Sequence, residues 1–307
     1  MERKKLLLLN PNEYEHELDK KALNSLKKTP GLDKLTKAYY KHTTEQTLKI
    51  LKTGSSIKVT HNNHSEIKEL LEEACANLHF KNIPELYIEK ADDINVTTMG
   101  ITEPLINITS EAVENLTPDE LINILGQGIG HIKSGHVIYQ EMTKIVPYIG
   151  DAIGLLTLGF GELISKPLEL SLLYWYRVSQ LTADRAGLLA CQDYDTSIRT
   201  LIKISGIPQK LYNEINTEEF INQAKEFENY DFDALNKLAK TVLITDQSQS
   251  WAVLRASELI KWVESKEYQK IIDKHANSNK LKCKNCDFPL DGMKNFCGNC
   301  GEKLWKR

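Results

Sequence analysis

Residues 117–140 read TPDELINILGQGIGHIKSGHVIYQ, and the fold is decided there. Thr117 with Glu120 three residues later forms a capping box, and Pro118 stands at the first helical position, so a helix start is specified. Gln127 and His131 are four apart and share a face of that helix. Gly126, Gly128 and Gly130 each cost about 1 kcal/mol against alanine in a helix interior. Propensity does not explain them. Close packing does, and so does the loss of a side chain.

Upstream, Glu13–Lys28 and Leu32–Lys52 read as lysine-rich helices split by Pro30-Gly31. Ser56–Thr60 reads as a short strand and Ser65–His79 as an amphipathic helix. Three brief strands follow around Leu86–Glu89, Asn95–Met99 and Leu105–Ile108, rich in β-branched residues and separated by turn formers. From Pro118 to Ala276 the pattern is almost wholly helical. The fold class is therefore α+β, a mostly helical body with a small sheet. HANSNK (275–280) is a polar break before a cysteine-rich tail.

That tail reads CKNCDFPLDGMKNFCGNC. Cys283 and Cys286 form one C-x2-C knuckle, and Cys297 and Cys300 form a second. Two such knuckles on a short hairpin supply the four thiolates of a tetrahedral structural zinc, with Zn–S near ~2.3 Å. Metal also explains how a segment so poor in apolar residues folds. Cys75 and Cys191 stand alone and read as core residues. This usage fits a metal site in a reducing compartment, not a disulfide framework.

The remaining composition is ordinary. With 307 residues, 41% hydrophobic and 26% charged, the chain is neither disordered nor collagen-like nor a multi-span membrane protein. A net charge of −3 gives no chain-wide field for nucleic acid or anionic lipid. Residues 1–60 are locally basic and 212–236 locally acidic, patterns typical of solvated helix faces. The start, MERKKLLLLN, has too short an apolar run for a signal peptide, so the cytoplasm is the expected compartment. Ile145–Ser165 approaches the ~20 residues needed to span a bilayer. Asp151, Glu162, Pro147 and four glycines interrupt it, so it reads as a buried or lid-forming hairpin, with peripheral membrane contact as the alternative.

The core stretch resembles the HtpX-like and CAAX-prenyl-protease-like zinc metallopeptidases, the gluzincins. Their H-E-x-x-H helix aligns with QGIGH after the entry PDEL. Their S-E-x-x-A-D-R motif aligns with SQLTADR (179–185). Residues 85–111 resemble the strand beside the substrate, and 251–271 resemble the closing helix. The resemblance covers about residues 55–272, and together with the composition shifts it divides the chain into four units: N-terminal lysine-rich helices (1–54), a metallopeptidase-like domain (55–274), a linker (275–281) and the ribbon (282–307).

The resemblance also assigns roles that this chain no longer fills. Gln127 stands at the first histidine ligand, Gly128 at the glutamate base, Gln180 at the glutamate ligand and Ser250 at the histidine of a His-Pro pair. His131 survives as a ligand and Asp184 as its second-layer partner. Catalytic zinc needs three protein ligands and an open position for water. Two neutral amides and one imidazole lack the charge for it, and without a carboxylate nothing takes the water's proton. Gln127, His131, Gln180 and Asp184 are expected to satisfy one another without metal. For His136, Arg185 and Arg255 packing or ion-pair roles are expected.

The expected function is a pseudopeptidase that binds a peptide or protein client, an active metallopeptidase relative being one such partner. Asn95, Thr97 and Met99 on an edge strand are the expected peptide-binding residues. Structural zinc is expected at the four cysteines and no catalytic zinc in the body. Two alternatives stand beside this reading. One is an active zinc metalloendopeptidase with a non-standard site. The other is an adaptor whose ribbon binds protein or nucleic acid, nucleic acid being disfavoured because the tail has few aromatics for base stacking.

Overall fold

The computed structural model describes residues 3–42, 45–143, 166–228 and 251–276, with 283, 285–286, 296–297 and 299–304 of the tail. Its sheet has four strands, β1 (Ile57–Val59), β2 (Glu85–Glu89), β3 (Val96–Met99) and β4 (Leu105–Thr109), in the spatial order β1-β2-β4-β3. β2 and β4 run parallel, whereas β1 and β3 pair antiparallel at the two edges. β4 (LINIT) is buried along its whole length, the mark of an inner strand covered on both faces.

Before the sheet come α1 (Glu17–Lys27), α2 (Leu32–His42) and α3 (Glu45–Ser55), and α4 (Ser65–Asn77) lies between β1 and β2. After β4 come α5 (Ser110–Asn115), α6 (Pro118–Lys133), α7 (Val137–Thr143) and α8 (Lys166–Cys191). Then follow α9 (Tyr194–Ile204), α10 (Thr217–Glu228), α11 (Ala252–Glu264) and α12 (Glu267–Ala276). The expected strands are all present. The expected helix at Glu13 starts at Glu17 instead, because Asn10, Pro11 and Glu13 cap a separate 3-10 turn and His16 Nδ1 accepts the Leu18 amide. The expected helix 32–52 is two helices, with 43–44 outside the described residues.

α6 is the axis of the body. It is buried without interruption from Glu120 to His131, with the sheet on one side and α8 on the other. The main core gathers around it and includes Leu6, Leu9 and Tyr14 from the first residues of the chain. A second core packs Leu26 and Leu35 of the N-terminal helices around Trp175 of α8.

The basic, leucine-rich start is thus a strap built into the body. Arg3 donates from Nε to the Cys191 carbonyl (2.8 Å), from Nη1 to Glu73 (2.6 Å) and from Nη2 to Asp119. The Leu6 amide donates to the Asn77 carbonyl at 2.8 Å. At the far end, His275 Nδ1 lies 2.6 Å from the Leu7 carbonyl and its Nε2 3.1 Å from Glu13. The membrane-like stretch 145–165 lies outside the described residues. Among those described, no helix is long and apolar enough to cross a membrane.

Candidate functional site

The three glycines of α6 separate into two kinds. A Cβ on Gly126 would lie 2.4 Å from Ala190 Cβ, and one on Gly130 2.4 Å from Ala186 Cβ. These two let α6 and α8 approach closely. Gly128 faces the other way, where a Cβ would meet Val96 Cγ2 at 3.1 Å and Ile106 Cδ1 at 3.3 Å. The position that the metallopeptidase pattern gives to a glutamate therefore looks into apolar side chains of β3 and β4.

Close approach of the helices sets Gln127 beside α8 and α11. Its Nε2 donates to Asn123 Oδ1 at 3.0 Å, and its Oε1 accepts from Arg255 Nη2 at 3.2 Å. Arg255 also donates from Nε (2.9 Å) and Nη2 (2.6 Å) to the two carboxylate oxygens of Asp184. The expected pairing of Asp184 with His131 is therefore corrected. A planar guanidinium matches a carboxylate with two parallel bonds, which a ring nitrogen cannot do. Both partners are buried, and Asp184 raises the Arg255 pKa against the desolvation that lowers it.

His131 belongs to a second group. Its Nδ1 is 3.1 Å from His136 Nδ1, and Gln180 bonds its ring. His136 Nε2 lies 3.3 Å from Asp19 Oδ2 of α1. That carboxylate also accepts Trp175 Nε1–H (2.9 Å) and the Thr182 hydroxyl (2.5 Å). Burial pushes the His131 pKa down to about 4, with the Gln180 bond opposing and the Arg255 charge adding. Burial likewise raises Asp19 to about 7, against the Thr182 and Trp175 bonds. Sequence reasoning missed Asp19. Gly135, in the left-handed region (φ 70°), turns the chain so that His136 reaches it, but nothing local to α1 announces the partner.

These residues do not fit a catalytic zinc. Both polar atoms of Gln127 are already bonded, one of them to a cation that would repel a dication. Position 128 offers no donor, and Gln180 is neutral. Among the described residues, the tail cysteines are the sole group of three or more histidine, cysteine or acidic side chains placed to hold a metal. Ser250 lies outside the described residues.

Among the described residues, β3 lies at one edge of the sheet. The Thr109 amide donates to the Asn95 carbonyl at 3.2 Å, so Asn95 turns its polar backbone toward β4. By the antiparallel alternation, Thr97 and Met99 do the same. Val96 and Thr98 carry the outward amides and carbonyls. Thr98 Oγ1 is anchored to Gln140 Oε1 at 2.6 Å.

In the tail, the four cysteine sulfurs all lie within 4.8 Å of one another. Cys283 and Cys300 are 3.5 Å apart, and Cys286 and Cys297 3.6 Å. Neither is a disulfide distance, and tetrahedral zinc would set sulfurs about 3.8 Å apart. The Asn299 amide points at Cys297 Sγ (3.4 Å), and Gly301 (φ 74°) makes the turn behind it. The cluster fits a metal ion.

Comparison with known proteins agrees with this architecture. The family described as Peptidase family M48 matches residues 61–245. Plastoglobule-localized metallopeptidase 48, chloroplastic, of Arabidopsis thaliana is 30% identical over 272 residues, covering 88% of this chain and 77% of that relative. No solved structure gives a significant match.

Proposed function

The chain belongs to peptidase family M48, and on that premise we propose that it is a pseudopeptidase, holding a peptide or protein instead of cutting it. One observation carries the reading: Gln127 is committed to Asn123 and Arg255, while Gly128 is packed against Val96 and Ile106. Without metal, water keeps a pKa far above the ~7 that zinc-bound water reaches. Without a carboxylate, no base takes its proton. The four cysteines bind structural zinc, one equivalent per chain.

The client adds as a strand along β3, with contacts at Asn95, Thr97 and Met99 and through the outward backbone of Val96. An active relative of this family is one candidate client. The cytoplasm is the proposed compartment, and the relative's plastoglobule address supports adding peripheral contact with a lipid surface. Val96→Pro removes an outward amide, and Val96→Thr keeps that amide and the side-chain shape. Client capture in a pull-down titration is expected to fall with proline and survive with threonine. Equal capture by both variants overturns the edge-binding proposal.

The competing reading is a working metalloendopeptidase, supported by the metallopeptidase name of the relative. It requires two zinc equivalents and chelator-sensitive cleavage that His131→Ala abolishes. One equivalent, lost in Cys283→Ser, and no cleavage are the outcomes expected here.

A further inference from the structure

We propose that the cavity between α1, α8 and α11 binds a small zwitterion, a molecule carrying both an ammonium and a carboxylate, with Arg185 holding the carboxylate. The cavity measures about 690 Å³, within the ~300–1,000 Å³ of small-molecule sites. None of Gln127, His131, Gln180 and Asp184 lines it, so this is a second site, apart from the vestigial one.

Arg185 meets one end of the ligand. Its Nη1 donates to two backbone carbonyls, those of Tyr14 and Glu15, each at a long 3.4 Å. Its Nε is buried with no acceptor, and Nη2 has no protein partner among the described residues. The same Nε–Nη2 edge of Arg255 holds Asp184 at 2.9 and 2.6 Å, because it matches the two oxygens of a carboxylate. Burial lowers the Arg185 pKa to about 10, with Glu267, Glu258 and Glu17 opposing without touching it. The guanidinium is held 5.0 Å from the centroid of the Trp262 ring. Trp262 is 2% exposed and lines the same cavity, and its indole N–H meets no acceptor either.

The rest of the wall selects the other end. Most of its charges are spent in pairs, Glu17 with Lys21, and Glu258 with His16 and Lys261. Glu13 is taken by Lys274 and His275. Besides Arg185, that leaves Lys20, Glu15 and Glu267 lining the cavity without a side-chain partner among the described residues. Burial raises the Glu15 pKa, with Lys20 and Lys27 opposing, so this carboxylate gains from a cation brought against it. A simple anion would meet Glu15 and Glu267, and a simple cation would meet Arg185 and Lys20. A zwitterion finds the opposite charge at both ends. Two sources share that chemistry: a free amino acid, and a short peptide with both termini free.

The test is isothermal titration of the full-length chain at pH 7 with alanyl-alanine, its N-acetyl form, its amide, and alanine. Removing either charge, the ammonium by acetylation or the carboxylate by amidation, is expected to weaken binding at least about tenfold. Arg185→Gln should erase the preference for acid over amide. The double change Glu15→Gln with Glu267→Gln should erase the preference for the free ammonium. Because Arg185 stacks on Trp262, melting temperatures are measured alongside, and the glutamine pair, which leaves that stack intact, decides the matter if Arg185→Gln does not fold. Alanine binding as well as alanyl-alanine assigns the site to amino acids, whereas binding of the dipeptide alone assigns it to peptides. No binding of either overturns the proposal, as do equal binding of acid and amide or charge preferences that survive in the folded variants.

Discussion

At position 128 a side chain would have to push Val96 and Ile106 aside by a few tenths of an ångström. Gly128→Glu restores the family's general base in name only. Its Cβ would press on Val96 and Ile106. A loss of about 1–3 kcal/mol is expected from overpacking, read by chemical denaturation, with no peptide cleavage gained. His131 makes a different prediction. Its pKa in the folded chain, about 4, is below the ordinary 6.5, so the ring is neutral when folded and charges more readily when unfolded. This contributes stability that is complete above pH 6.5 and lost as pH falls toward 4. Ring-proton shifts in NMR should therefore show His131 neutral at pH 5.5, and a titration midpoint near 6.5 contradicts its burial.

At the scale of elements, the contact between α6 and α8 depends on small residues. Gly130→Ala gains about 1 kcal/mol of helix propensity. It also places a Cβ 2.4 Å from Ala186, and overpacking of about 1–3 kcal/mol outweighs the gain. A lowered denaturation midpoint is expected, and rescue by the double change with Ala186→Gly would identify the clash as the cause. Much of α6 was legible beforehand. The Thr117 amide donates to Glu120 at 2.8 Å, and the Glu120 amide to Thr117 at 3.4 Å, the box that the sequence spells out. The strands were legible through their β-branched runs. The division of the glycines was not, because close packing and side-chain loss give the same residue, and only the neighbours distinguish them. Asp184 with Arg255, and Asp19 with His136, were illegible for another reason: each pair joins segments far apart in sequence, with no periodic signature. The helix α5 escaped because six residues are too few to show a period, although Thr109 caps it at 3.2 Å.

For the whole molecule, metal and body are expected to be separable. Cys283→Ser should remove the single zinc while the thermal transition of the helical body stays within about 2 °C, since the cysteine cluster draws its sulfurs from the tail alone. A joint loss of zinc and body structure would show that the tail supports the fold. The strap at the other end of the chain bears on how this body is made. Arg3 meets Cys191 across 188 positions, and His275 meets Leu7 across 268. Such non-local closure is slow, because loop entropy is lost before the contacts repay it. During synthesis, at about 5–20 residues per second, Leu6, Leu7 and Leu9 leave the ribosome long before the surfaces that bury them exist. For that interval the apolar side chains of the strap stay exposed, and their burial waits on a residue as late as His275.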